Sequence, residues 1–262
     1  MKKSFRSILF VPAREKMLAK IPSLKADAFI IDLEDSIPEE EKEDALHRTA
    51  NYITRLASSS NIIVRINSNH AARDLAVLDK FSEIGFMLPK YENENPYDSL
   101  GDKLSRHYTV ALIESPKAIV ELSKICNVGY IDALAFGAED YTAKVNMVNT
   151  IDYLLFQKSM IITYAKANNL QVFDTPSFKL DNEEEFEREV NNAASLGFDG
   201  KMAISPKHIQ FINNAFSSND LEYMKLVIER YEADGNAVVL IDGKVYEKMH
   251  INRFKKIIKE NS

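Results

Sequence analysis

One cysteine, Cys126, stands in a chain of 262 residues. A single thiol can form neither an internal disulfide nor a cysteine-rich zinc site, so the composition points to a reducing, cytoplasmic setting rather than a secreted, stapled fold. The eight glycines contain no G-x-G pair and there is no P-loop, which disfavours both standard nucleotide-binding turns. His47, His70, His107, His208 and His250 form no H-x-H or H-E-x-x-H pair, so a zinc hydrolase is not indicated. No apolar run approaches the roughly 18 residues of a membrane span, and Ile8–Val11 is too short for a signal-peptide core. Basic residues are outnumbered, 33 Lys and Arg against 39 Asp and Glu, for a net charge of −6. Such a chain is poorly suited to phosphate backbones. Neither nucleic acid nor a membrane is an expected partner.

What the chain does have is alternation of two kinds of segment. Short apolar, β-branched runs occur at Ser7–Ala13, Ala28–Leu33, Asn61–Asn67, Ile84–Lys90, Tyr108–Ser115, Tyr130–Gly137, Leu170–Thr175 and Gly197–Ser205. Several lack strict polar alternation, as strands do when both sheet faces are covered. Helical stretches lie between them. Pro38–Leu56 opens with proline and three glutamates; Asn182–Leu196 opens with an N-cap asparagine before three glutamates and stops at Gly197. Thr150–Asn168 and Asp220–Tyr231 are helical by pattern. Eight strands, seven of them followed by a helical stretch before the next strand, predict an α/β protein, a TIM (β/α)8 barrel, over residues 1–235. Residues 236–262 read as an extension: a hairpin turning at Asp242-Gly243, then a basic helix from Arg253 to Lys259, packing on the barrel or on a neighbouring subunit.

Barrel enzymes carry their chemistry at the C-terminal ends of the strands. Here those ends hold Asp32, Glu34 and Asp35, Arg65 and Asn67, Lys90, Glu114, Glu139 and Asp140, Asp174, Lys201 and Ser205. Such a mixture of signs suits a divalent cation with an anionic substrate. Glu114 and Asp140 follow consecutive apolar strands and are the best candidates for Mg²⁺, which takes a few carboxylates and leaves its other positions to water and substrate. Each could instead cap the helix that follows. Arg65, inside Ile62-Ile63-Val64-Arg65-Ile66-Asn67, needs a partner or the barrel mouth. It is either a structural ion pair with Asp32 or Glu34, or a fork for a carboxylate or thioester oxygen. The acids of Asp32-Leu33-Glu34-Asp35 can hold Arg65 or hydrogen-bond a metal-bound water. Lys90 and Lys201 could be Schiff-base amines or ion-pair partners at the mouth. Cys126 reads as packing.

These blocks follow one another in a familiar order: Arg6-Ser7-Ile8-Leu9-Phe10-Val11-Pro12-Ala13, Asp32-Leu33-Glu34-Asp35-Ser36-Ile37-Pro38, Val64-Arg65-Ile66-Asn67, Leu88-Pro89-Lys90, Leu112-Ile113-Glu114-Ser115, Ala135-Phe136-Gly137-Ala138-Glu139-Asp140 and Gly197-Phe198-Asp199-Gly200-Lys201. From Arg6 to about Lys244 the chain resembles the citrate lyase beta subunit-like proteins of the HpcH/HpaI aldolase superfamily. The resemblance implies a TIM barrel that binds Mg²⁺ and makes or breaks a carbon–carbon bond beta to a thioester of coenzyme A or acyl carrier protein. Glu114 and Asp140 fall on the family's metal ligands, Arg65 on its substrate-binding arginine, and Glu34 and Asp35 on the acidic motif beside the site. Catalytic roles are thus expected for Arg65, Glu34 and Asp35, and substrate contacts for Arg65, Glu114 and Lys90. A homotrimer or larger assembly is implied, with the C-terminal segment of one subunit over the next. The leading expectation is a Mg²⁺-dependent lyase that cleaves a citryl-, malyl- or citramalyl-type thioester to a keto acid and an acetyl thioester. The alternatives are an acyl-CoA thioesterase on the same site, an aldolase of free keto-deoxy sugar acids, and a non-catalytic subunit of a lyase complex.

Overall fold

Eight parallel strands close on themselves in the computed structural model, in which residues 5–56, 61–93, 95–148, 150, 153–217, 221–235 and 237–260 are described. They are β1 (Ser7–Pro12), β2 (Ala28–Asp32), β3 (Ile62–Arg65), β4 (Gly85–Leu88), β5 (Tyr108–Ile113), β6 (Ala133–Phe136), β7 (Gln171–Asp174) and β8 (Gly200–Ala203). Each pairs with its sequence neighbour, and β8 returns to β1 through Ser7 opposite Lys201. The expected (β/α)8 barrel is present, one strand per apolar run.

Side chains on a strand point alternately to opposite faces, and both faces here are apolar. Ile8, Ile30, Ile63, Met87, Val110, Leu112, Ala135, Phe173 and Met202 fill the barrel interior. Their neighbours in sequence, such as Leu9, Ile31, Val64, Ile113 and Phe136, are buried on the outer face. That double burial is why the strands read as continuous apolar runs. Phe5 closes the N-terminal end of the barrel edge-on against Tyr108, with ring centroids 5.7 Å apart.

The outer elements are uneven. The helix Glu183–Leu196 forms as its sequence dictates: the Asn182 side chain accepts the Glu185 N–H at 3.0 Å, and the chain leaves the helix at Gly197. The Pro38 segment starts later than expected, because Pro38 is extended and Glu39–Glu41 make a single 3-10 turn before the helix Lys42–Arg55. The third long helix is Leu155–Ala167. It begins after the expected Thr150, and residues 151–152 of that expectation lie outside the described residues. After β4 and β5 the helices are fragments, Gly101–Leu104, Pro116–Val120 and Leu122–Ile125. Cys126 caps the last of these and is buried, in keeping with a packing role.

The backbone contacts divide the chain into two units, Met1–Asn213 and Asn214–Ser262. The division precedes the expected boundary at 235/236, because the helix Leu221–Asp234 groups with the hairpin instead of with the barrel. Within the second unit, β9 (Val238–Ile241) and β10 (Lys244–Glu247) pair antiparallel. Asp242 and Gly243 both have positive φ, 46° and 74°, as a two-residue type I′ hairpin turn requires. The final helix begins at Lys248, ahead of the expected Arg253, where His250 Nδ1 lies 3.0 Å from the Glu247 N–H. Val227, Ile241, Tyr246 and Ile251 form this unit's core. The expected starts at Asp220 and Asn236 fall outside the described residues. No helix among those residues is long and apolar enough to cross a membrane.

One charged cluster lies on the outer face of the barrel. Asp174 is fully buried between two lysines, with Lys201 Nζ 2.7 Å from Oδ2 and Lys158 Nζ 2.9 Å from Oδ1. Lys201 also donates to the Thr175 carbonyl at 2.6 Å. Burial alone would push the Asp174 carboxyl up, and the two ammonium groups hold it below the ordinary range; burial pulls Lys201 down. Replacing Asp174 with Asn should leave two buried ammoniums facing one another and destabilise the protein by about 3–5 kcal/mol in urea unfolding.

Candidate active site

Continuing the inward alternation by one step past the apolar layers brings polar groups to the C-terminal mouth of the barrel. Asp32 follows Ile30 on β2, Arg65 follows Ile63 on β3, and Glu114 follows Leu112 at the end of β5. Strand register sets Asp32 directly beside Arg65. The result is a bidentate pair, with Arg65 Nε 2.7 Å from Asp32 Oδ1 and Nη2 2.8 Å from Oδ2. Nη1 donates to Asp35 at 3.0 Å and lies 3.5 Å from Glu34. Arg65 is only 8 % exposed, yet it borders a cavity at the mouth. The two roles left open for it therefore coincide in space: the guanidinium is ion-paired and also faces the space where a ligand would sit.

Asp32 organises more than the arginine. Its two oxygens also accept the N–H groups of Glu34 (2.9 Å) and Ser36 (3.1 Å), which folds the acidic loop back over β2. Although burial raises Asp32, the Arg65 fork holds its carboxyl below the ordinary range. Glu34 is buried behind this pair, where Ser68 donates to Oε1 at 3.1 Å and Lys90 Nζ lies 3.0 Å from the same oxygen. Burial pushes its pKa up. Asp35 is half-exposed and borders the cavity.

Lys90 has φ of 52°, and its N–H donates to Glu114 Oε1 at 2.7 Å. Its ammonium sits on Glu34 and does not line the cavity, so the group read as a substrate contact is placed where it holds two carboxylates in position. Glu114 is 2 % exposed, and its pKa is pushed up to about 8, first by burial and then by the charge of Asp140. Asp140 does not cap the helix that follows β6. That helix, Ala138–Val145, begins two residues before it, with Gly137 as N-cap, so Asp140 lies in the first turn. A side chain at Gly137 would place its Cβ 2.7 Å from Glu114 Cβ and 2.9 Å from Oε2; only glycine leaves room for the glutamate. Thr175, after β7, has its hydroxyl 3.3 Å from the Ala138 N–H and braces this helix start.

The cavity encloses about 340 Å³, within the usual range for small-molecule sites. Its floor is Phe10, Leu112 and Met202, and its walls include Pro12, Ile204 and the exposed Phe178. The Arg65 guanidinium carbon lies 5.2 Å from the centroid of the Phe10 ring. Among the described residues that line it there is no lysine, histidine or cysteine. Lys201 and Asp174, both expected at the mouth, point to the outer face instead, one residue out of phase with Met202 and Phe173. No cluster of three or more His, Cys, Asp or Glu that could hold a metal occurs among the described residues. Two carboxylates with open positions remain, Glu114 and Asp140, a donor set that fits a hard cation completed by water and ligand.

The family model for HpcH/HpaI aldolase/citrate lyase matches residues 6–206. The chain belongs to this family. The citrate lyase subunit beta of Haemophilus influenzae is 30% identical over 277 positions, covering 97% of this chain and 95% of that protein. The mitochondrial citramalyl-CoA lyase of Rattus norvegicus is 29% identical, covering 81% of this chain and 71% of that protein. Among solved structures, the Mycobacterium tuberculosis citrate lyase beta subunit complexed with oxaloacetate and magnesium superposes with a TM-score of 0.70 at 27% identity, covering 82% of this chain and 97% of that one. Membership in the HpcH/HpaI family accounts for the barrel and for the order of the motifs. Of the two ion-pair partners open to Arg65, the structure gives the bidentate contact to Asp32; the clearance at Gly137 and the apolar floor are features of the folded chain that the motifs did not single out. Phe10 and Leu112 carried a readable signal, since each lies two residues from an inward-facing position on its strand, Ile8 and Val110.

A carboxylate whose pKa is raised on folding binds its proton more tightly in the folded state. The stability this gives is complete below the unfolded value and is lost as pH rises through the folded one. In metal-free protein, chemical denaturation should therefore show stability falling between pH 4.5 and about 8. The Glu114→Gln variant should lose most of that slope.

Proposed function

We propose that the protein is a Mg²⁺-dependent carbon–carbon lyase that cleaves a β-hydroxyacyl thioester of coenzyme A or acyl carrier protein to a 2-oxo acid and an acetyl thioester. One observation carries the reading: a locked arginine fork and two metal-type carboxylates, Glu114 and Asp140, border a single cavity whose described lining holds no amine, thiol or imidazole. That lining offers no partner for a Schiff base or a histidine-activated acyl transfer. It suits cleavage by charge stabilisation alone. The named activities of the relatives, citrate lyase and citramalyl-CoA lyase, belong to this class.

Glu114 and Asp140 are the residues that would hold the cation. A Mg²⁺ ion held by them would supply Lewis-acid polarisation at the carbinol end of the substrate. Arg65 has five N–H groups, and three are taken by Asp32 and Asp35. We assign the remaining two to the thioester carbonyl oxygen. As the carbon–carbon bond breaks, its electron pair passes to the acetyl fragment, and charge builds on that oxygen within reach of a guanidinium that is already oriented. Asp32, Glu34 and Lys90 act as positioning residues: the first two fix the fork, and Lys90 fixes Glu114 through its backbone. Asp35, at the cavity edge, both holds Nη1 and borders the substrate.

Purified protein mixed with CoA thioesters of malic, citramalic and citric acids, with product masses read, should release a keto acid and acetyl-CoA only when Mg²⁺ is present. EDTA should abolish the reaction, and borohydride should trap no lysine adduct. Free hydroxy acid as product would mean a thioesterase. The Arg65→Lys variant should fold and lose about 10²–10³ in kcat. By calorimetry, Glu114→Gln and Asp140→Asn should each weaken Mg²⁺ binding by about tenfold or more.

We also propose a cytoplasmic homo-oligomer, trimeric or larger, in which the C-terminal unit covers a neighbouring subunit. Val238, Leu240, Val245 and Met249 of that unit are large, apolar and exposed, which supports a covered face. Light scattering should give a mass several times that of one chain, and truncation after Gly235 should lower it.

A further inference from the structure

Resting on the lyase reading above, we infer that the cavity selects a thioester whose carbinol carbon carries an apolar substituent, a methyl group as in a citramalyl-type substrate, and discriminates against one that carries a second free carboxylate, as a citryl-type substrate does.

The carbinol carbon has four substituents. The hydroxyl and the adjacent carboxylate face Glu114 and Asp140 at the rim. The methylene leading to the thioester leaves through the mouth past Arg65, since the carrier is far too large for a cavity of about 340 Å³. The fourth substituent is left pointing down the barrel axis. There it meets Phe10 of β1, Leu112 of β5 and Met202 of β8. Leu112 is two residues before Glu114 on the same inward face, so it lies directly beneath the rim. Pro12 and Ile204 extend the apolar wall.

A carboxylate in that position would have no cation left to pair with among the described lining residues. Arg65 is the one cation among the described lining residues, and Asp32 holds it by both faces of its fork. Against it stand Asp32, Asp35, Glu114, Glu139 and Asp140. The ammonium groups of Lys90 and Lys201 are engaged with Glu34 and Asp174, outside the cavity. A desolvated, unpaired carboxylate costs enough to lower kcat/KM by about 10²-fold. A methyl group on an apolar floor gains about 10-fold over hydrogen.

Cleavage of the favoured substrate balances without any co-reactant. The hydroxyl loses its proton, the bond between the carbinol carbon and the methylene breaks, the carbinol carbon becomes the ketone of pyruvate, and the methylene takes a proton to give the acetyl thioester. Replacing the methyl by hydrogen gives glyoxylate, and replacing it by carboxymethyl gives oxaloacetate.

The test is a ranking. With Mg²⁺ present, kcat/KM for citramalyl-CoA should exceed that for malyl-CoA by about 10-fold and that for citryl-CoA by about 10²-fold. Calorimetry on the Mg²⁺-loaded protein should rank pyruvate above glyoxylate and oxaloacetate without any turnover. The Met202→Lys variant, which puts a cation on the floor, should raise the ratio of citryl to citramalyl cleavage at least about 10-fold. If that variant does not fold, the wild-type ranking and the product affinities still decide. Citryl-CoA or oxaloacetate ranking first would overturn the inference while leaving the lyase reading intact. Cleavage of none of the three thioesters would remove the lyase reading and this inference with it.

Discussion

The bidentate contact between Asp32 and Arg65 is the constraint on which the mouth of this barrel depends. An arginine that ends an apolar strand must find a counter-charge or leave the interior. Parallel register supplies one on the adjacent strand, at 2.7 and 2.8 Å. Because both oxygens of Asp32 also hold the backbone of the following loop, the same carboxylate fixes where Asp35 and Ser36 stand. The fork cannot swing without breaking that loop. A guanidinium held this rigidly presents its remaining donors in one direction, which is the condition for stabilising a charge that appears only during reaction.

A second constraint comes from crowding of like charge. Glu114 is buried and close to Asp140, so it resists ionisation when no cation is present, and the Lys90 N–H on one of its oxygens offsets this only in part. The neighbourhood reinforces the arrangement: Gly137 clears space for its other oxygen, and the helix that carries Asp140 starts at that same glycine. The two halves of the mouth are thus complementary. One is an arginine satisfied by acids, and the other is a pair of acids whose donor set fits a hard cation.

The barrel keeps this site separate from a second ionic cluster only one residue away along the strands. Lys201 and Asp174 pair on the outer face, while Met202 and Phe173 beside them point inward. Burial gives both clusters low solvent access, but only the inner one meets a cavity large enough for a ligand. Proximity along the chain to the chemistry does not by itself make a residue part of it; the face of the strand decides.

Much was determined by the sequence alone. Eight apolar runs separated by helical segments specify a barrel, because parallel strands buried on both faces must be apolar throughout. Asn182 with its glutamates and Asp242-Gly243 specify a helix start and a hairpin through local hydrogen bonding and backbone preference. The order of acidic and basic residues after the strands picked out Glu114, Asp140, Arg65, Glu34 and Asp35 for the mouth. The tertiary structure decided the rest. It chose Asp32 as the arginine's bidentate partner, put the Lys90 ammonium on Glu34, sent Lys201 outward and built the floor from Phe10, Leu112 and Met202. These outcomes depend on strand phase, where a shift of one residue exchanges inside for outside, and on barrel closure, which sets side by side residues that the chain keeps tens or hundreds of positions apart.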